Sequence, residues 1–226
     1  MKMILGVLLF FVFVSADAAL ISRLGDQAVY DTDLDITWLT DANLAASNTF
    51  GLSTGVLLGT YPGDTSGVSG LINANGTMNW PGALIWIDAM NTANYLGFND
   101  WRLPITPQPD PTCSNPGATG FDCTGSEMGH LFNVDGVIWN TAPGPFSNFV
   151  ADGFTGADYW SGTGFDRFNA WRFIFNNGLQ ATFTKGNALK AFAVRSGDVA
   201  AVPVPAAVWL FGSALGLLGW MRRKKA

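Results

Sequence analysis

Strand and helix signals fall in separate stretches of this chain, which predicts a mixed domain of short strands and two helices. Three observations carry that reading. Residues 20–39 and the last third of the chain alternate in strand fashion. A single apolar face recurs at helical spacing from Trp80 to Met90. A second helix start follows Thr124, before a short apolar stripe.

Both ends of the chain read as addresses. Lys2 is a short basic region, Ile4 to Val14 is a continuous apolar run, and Ala16-Asp17-Ala18 is a small-residue cleavage site. Residues 1–18 are therefore expected to be a secretory signal peptide, with Ala19 the first mature residue; an uncleaved N-terminal anchor is the alternative. Without its ends the chain keeps roughly 180 residues, enough for one domain with a sizeable core. The whole chain has 12 Lys+Arg and 17 Asp+Glu. Setting aside Lys2, Asp17 and the four basic residues at 222–225 leaves 7 basic against 16 acidic groups, about −9. Such a surface repels polyanions, so nucleic acid is not an expected partner. Cys113 and Cys123 are the only cysteines, and an even pair in an exported chain reads as one local disulfide.

The elements follow in order. Leu20, Ser22 and Leu24 lead into a Gly25-Asp26 turn, residues 27–31 form a second strand and 35–39 a third. Asp31, Asp33 and Asp35 have the opening spacing of an EF-hand, but its Gly and Glu positions are Ile36 and Ala42. An irregular calcium site and a solvated turn remain as readings of these acids. Residues 40–78, rich in Gly, Ser, Thr and Asn, read as loop with short pieces of helix or strand. Asn79 caps a helix with Pro81 in its first turn, carrying Trp80, Ala83, Leu84, Ile87 and Met90 on one face and ending before Gly97. Asp100 to Pro104 follow, then a Pro-rich loop closed by Cys113 and Cys123. Thr124-Gly125-Ser126-Glu127 has the spacing of a capping box, and the helix after it presents Met128, Leu131 and Phe132. His130 beside that face reads as an ordinary helix residue or, alternatively, a ligand. Residues 159–163, 170–175 and 179–184 read as strands, with Asn177-Gly178 as the hairpin turn. Residues 191–195 form a last strand, buried on one face.

These stretches together resemble the Lcl C-terminal domain family, named after a bacterial collagen-like adhesin. The carriers are Gly25 to Asp31 with Thr37-Trp38-Leu39, Asp100-Trp101-Arg102-Leu103-Pro104, Gly125 to Met128, Tyr159-Trp160-Ser161, Ala170-Trp171 and Ala193-Val194-Arg195. The likeness covers most of residues 20–198. The arrangement is also similar to C-type-lectin-like domains, at the level of fold. It implies an α+β, C-type-lectin-like domain over 19–198: a small twisted, mostly antiparallel sheet, two flanking helices and long loops. In that pattern Trp101, Leu103, Pro104, Trp160 and Trp171 are fold residues and Glu127 is the acid matching Arg102. The alternation around Arg102 lets Trp101 and Leu103 face a core while Arg102 meets Glu127 or an Asp. Two departures stand out. The sulfated polysaccharides associated with the adhesin need basic surfaces, so that ligand class is not carried over. The insertion at 105–123 separates Arg-Leu-Pro from the Glu127 helix.

Residues 199–226 form the other address. Val202-Pro203-Val204-Pro205-Ala206 precedes an apolar run, expected as a transmembrane helix over 206–221, and Arg222, Arg223, Lys224 and Lys225 stop transfer. The 15 residues from Ala206 to Trp220 span ~22 Å, short of a ~30 Å hydrocarbon core. Motif, short span and basic end resemble the PEP-CTERM sorting signal, with Val204 where the family name has Glu. That resemblance implies cutting by exosortase and release to the surface of a Gram-negative, exopolysaccharide-making bacterium; the alternative is a permanent anchor.

The expected function is a non-enzymatic surface or matrix protein of lectin-like or adhesive type. Its expected partners are exosortase, a surface polysaccharide and, transiently, the membrane. One His, no free Cys and no Gly-x-Ser-x-Gly elbow make triad chemistry hard to build. No catalytic residue, cofactor or metal site is assigned. The competing readings are a glycosidase using two carboxylates and a purely structural biofilm component.

Overall fold

The computed structural model describes residues 20–115, 119–149 and 157–199. The chain begins as a meander: β1 (Leu20–Arg23), β2 (Ala28–Asp31) and β3 (Ile36–Leu39) pair antiparallel in sequence order. After a short 3-10 turn at Leu44–Ala46, β4 (Leu57–Thr60) and β5 (Ser69–Leu71) form a separate two-stranded ribbon. Helix α1 (Trp80–Thr92) follows, then α2 (Glu127–Asn133). β6 (Asp158–Gly164), β7 (Asn169–Ile174) and β8 (Leu179–Thr184) form an antiparallel sheet of three. The last strand, β9 (Val194–Ser196), returns to pair antiparallel with β3. The molecule is thus α+β, with antiparallel sheets and two helices.

Asn79 explains where α1 starts and what it leans on. Its side-chain oxygen accepts from Gly82 N at 3.0 Å and from Leu71 N at 2.8 Å, and its amide donates to Ser69 O at 2.8 Å. One capping side chain therefore ties the helix to β5. Gly82 permits the approach, because a Cβ there would lie 2.6 Å from Leu71 O. The helix ends at Thr92, earlier than Gly97. Asn94 and Leu96 take left-handed backbone angles, which no α-helix continues.

α2 is capped by Ser126, whose Oγ accepts from Gly129 N at 3.0 Å. This differs from the T-x-x-E expectation, which puts the cap at Thr124. Glu127 cannot reach back as a capping box requires, because both its oxygens are held by Arg102 and Ile105 N.

One expected sheet is in fact three, and the segment Leu189–Ser196 accounts for the division. Leu189 exchanges backbone hydrogen bonds with Met78, Lys190 with Asp158 and Trp160, Val194 with Arg102, and Ala193 O accepts from Leu39 N. A single thread spends its edges on successive partners, so no continuous ladder forms.

The thread also separates two cores. Ala191 and Ala193 pack with Trp86, Trp101, Leu103 and Trp160, while Phe192 and Val194 pack with Trp38, Tyr159, Phe173 and Phe175. Period-2 alternation places successive residues in different cores, as it does for Tyr159 and Trp160 in β6. Residues 191–194 are buried on both faces rather than one.

Among the described residues no helix is long and apolar enough to cross a membrane. The expected signal peptide (1–18), the sorting residues Val202 to Ala206, the helix 206–221 and Arg222 to Lys225 lie outside the described residues.

Candidate functional site

The Arg102 stretch is where sequence and structure meet first. Trp101 is buried and its Nε1 donates to Tyr95 O at 3.0 Å. Leu103 is buried beside Trp160 in the same core. Pro104 O accepts from Gly162 N at 2.8 Å and Ser161 Oγ at 2.9 Å, joining the loop to β6. Arg102 points the other way and holds Glu127 by two bonds, 2.7 and 2.6 Å. Trp160 Nε1 donates to Met78 O at 2.9 Å. Trp171 is also buried, but its ring meets Phe165 edge-on rather than the Arg102 group. Cys113 and Cys123 are bonded to each other.

The open surface beside this stretch is a groove. One hollow of it, about 580 Å³, lies between the Tyr61–Thr65 loop, the start of α1 and the end of β6. Tyr61, Leu84 and Gly162 also line a second hollow of about 470 Å³ reaching Asn91, Arg102 and Ile105. Volumes of this order suit a small ligand. The floor is organised by Trp80, whose Nε1 donates to Ser161 O at 2.8 Å. Lys185 Nζ lies 4.4 Å from the centre of the Trp80 ring and 2.8 Å from Asp64 Oδ1. Asp64 also accepts from the Ser66 hydroxyl. Burial alone would raise the Asp64 carboxyl, but hydrogen bonds from Lys185 and Ser66 outweigh it and hold it below the usual range. Across the groove Tyr61 and Asp88 line the same hollow. Burial, and then the Asp88 charge, push the Tyr61 hydroxyl up, and burial raises Asp88 as well. Phe165 stands half-exposed at the rim. The groove thus offers aromatic surface and carboxylates, a set that can stack on a ring and bond its hydroxyls.

A second concentration of polar groups lies where the β2–β3 turn meets the end of α2. Asp31 Oδ1 accepts from Asp33 N and Leu34 N at 3.0 and 3.1 Å, which shapes the turn. His130 Nε2 is 3.8 Å from Asp33 Oδ2 and 3.9 Å from Asp135 Oδ2. Burial, followed by the charges of Asp31 and Asp33, pushes the Asp135 carboxyl up to about 7. The other grouping of metal-type residues, Asp110 with Cys113 and Cys123, has its sulfurs committed to the disulfide.

Compared with family models, curated proteins and solved structures, the chain matches none. The chemistry of the groove therefore rests on its own residues. Sequence reasoning singles out Trp80, Arg102 and Leu103 among them but misses Tyr61, Asp64, Phe165 and Lys185. Those four come from segments with no shared periodicity, brought together only by the ribbon and the β6–β8 sheet. Asp135 is missed too, because it lies beyond the end of α2, where helical spacing no longer relates it to His130.

Proposed function

We propose that this is a non-enzymatic surface or exopolysaccharide-matrix protein with a C-type-lectin-like fold and a lectin-like, adhesive role. The observation that carries the reading is the groove. Tyr61, Trp80 and Phe165 line one hollow, Tyr61 and Asp88 line the adjoining one, and hydroxyl-rich, uncharged rings are the ligands that aromatic and carboxylate groups of this kind recognise. The net negative charge disfavours sulfated or other polyanionic glycans. Arg102 supports the loop through Glu127 and is not free to act as an anion clamp. The resemblance of the chain to the Lcl C-terminal domain family supports the same role, and the PEP-CTERM-like tail supports sorting by exosortase after transient membrane insertion.

A glycan array run beside a hydrolysis assay tests the function. Retention on neutral saccharides, weakened about tenfold or more by Phe165→Ala or Asp88→Asn, is the expected result. Hydrolysis of a bound glycan would replace the lectin reading with a carboxylate glycosidase. Absence of both retention and hydrolysis would leave a structural matrix component.

A further inference from the structure

The groups around His130 are arranged in a way their own contacts do not explain. The Asp135 side chain is 1% exposed, yet neither of its oxygens has a hydrogen-bond partner. Asp31 Oδ2 and His130 Nε2 are buried and unpartnered as well. One ligand atom each from Asp31, His130 and Asp135 lie within 4.8 Å of one another. Leaving one such group unsatisfied costs about 1–3 kcal/mol, more for a charge, so three converging on one point call for a shared partner.

We propose that Asp31, His130 and Asp135 bind a divalent transition-metal ion of the zinc or manganese type, with Asp33 at the mouth of the site. Three features argue for that class. The 3.8 and 3.9 Å separations from His130 Nε2 to the carboxylates are too long for hydrogen bonds. They match two ligands on one ion, since bonds of ~2.1 Å at open angles put donor atoms ~3.4–4.2 Å apart. An imidazole nitrogen among carboxylates selects zinc or manganese over calcium and magnesium, which take oxygen. Charge agrees, because three acids gathered around one imidazole repel one another until a cation joins them.

The local structure preorganises the set. Asp31 uses Oδ1 to hold the turn and leaves Oδ2 for the ion. Val134 N and Asp135 N both bond to His130 O, at 2.8 and 3.2 Å, so the frayed end of α2 fixes Asp135 beside the imidazole. Asp33, with its side chain 39% exposed, gives the ion a path from solvent. The site shares no residue with the groove, and its occupation would pin the β2–β3 turn to α2.

The test uses the full chain, stripped with a chelator and titrated separately with zinc, manganese and calcium by calorimetry and native mass spectrometry. One equivalent of zinc or manganese should bind and raise the melting temperature. Asp135→Asn and His130→Gln should each weaken binding by ~100-fold or more while keeping the wild-type circular dichroism, and Asp122→Asn, at an exposed acid beside Cys123 and outside the cluster, should not. Asp135→Asn removes a buried charge rather than a contact, so it keeps the proposal testable in a folded protein. No binding of either metal to folded wild type at about 100 µM overturns the site. So does binding that both variants leave intact, or binding of calcium alone that His130→Gln does not change.

Discussion

Arg102 and Glu127, 25 positions apart, face each other fork to fork, with guanidinium nitrogens 2.7 and 2.6 Å from the two carboxylate oxygens. Glu127 Oε2 also accepts from Ile105 N at 2.7 Å. The carboxylate therefore clamps both sides of the Leu103-Pro104 turn to the first residue of α2. Because it serves the backbone as well as Arg102, Glu127→Ala should cost more than Arg102→Ala. We expect ~2–4 kcal/mol for the former and ~1–3 for the latter in urea unfolding, with a coupling energy above ~1 kcal/mol in the double-mutant cycle. Equal costs with no coupling would reduce the pair to an incidental surface contact.

Trp101 anchors the opposite side of the same turn. Its backbone exchanges bonds with the Asn91 side chain at 2.8 Å in both directions, and its ring is buried with Trp86 and Trp160. Trp101→Ala should cost ~3–5 kcal/mol. A variant of undiminished stability that has lost surface adhesion would move Trp101 from the core to the binding site.

The legible parts of this fold are those set by local chemistry. Asn79 and Pro81 mark the start of α1, and Asn177-Gly178 marks the β7–β8 turn, because caps and turns depend on a few neighbouring residues. Arg102 and its acid are legible because alternation fixes which way each side chain points. Trp86 is not, although it is fully buried. It sits off the face drawn through Trp80, Leu84 and Ile87, and is covered by the 43–52 loop, where Asn48 O accepts from its Nε1 and Phe50 meets its ring. Ala191 to Val194 mislead for a related reason. A thread between two cores has no solvent face, so it lacks the polar alternation that marks one. The groove and the His130 cluster are assembled from distant segments, and no spacing rule reaches them.

The ion pair under the groove should show in the acid limb of stability. Asp64 ionises more readily in the folded chain than in the unfolded one, so its contribution is present above the ordinary carboxylate range. That contribution is lost as pH falls through its lowered folded value. Asp100, lowered chiefly by its hydrogen bond from Arg195, acts in the same direction. Urea midpoints should therefore fall below about pH 4, and Lys185→Met should flatten part of that limb. With its side chain 5% exposed, Lys185 removed alone leaves the buried Asp64 charge without its counter-ion, with only Ser66 donating to it, at ~3–5 kcal/mol near neutrality. An unchanged acid limb in Lys185→Met would show that Asp64 is not held by the lysine.

Gly178 joins the β7–β8 turn to α2. Its φ is +77°, and an added Cβ would stand 2.5 Å from Phe132 Cε1. Phe132 packs against Phe173 and Phe175 and has little room to retreat. Gly178→Ala should cost ~2–4 kcal/mol, combining left-handed strain with overpacking. Gly136→Ala, at φ +71° with open space around it, should lose only ~1–2 kcal/mol. Equal losses at the two positions would remove the Phe132 contact from the account.

The tail sets the last prediction. From Ala206 to Trp220 the apolar run is short for a bilayer span, and on the proposed sorting reading the basic Arg222 to Lys225 would stop transfer. A mismatch costs only fractions of a kcal/mol per Å, so the segment can insert for a time. Proline at 203 and 205 disfavours helical continuation in a sequence, and a protease requires an extended substrate. Cleavage near Pro205-Ala206 should therefore release an ectodomain that lacks Arg222 to Lys225. Epitopes placed after Asp198 and after Lys225 follow the two halves in strains with and without exosortase. In the wild-type strain the first epitope should leave the membrane fraction and the second should not accompany it; without exosortase both should stay together on one membrane-bound chain. If they stay together in the wild type as well, the tail is a permanent anchor, and the groove would act at the cell membrane rather than in the matrix beyond it.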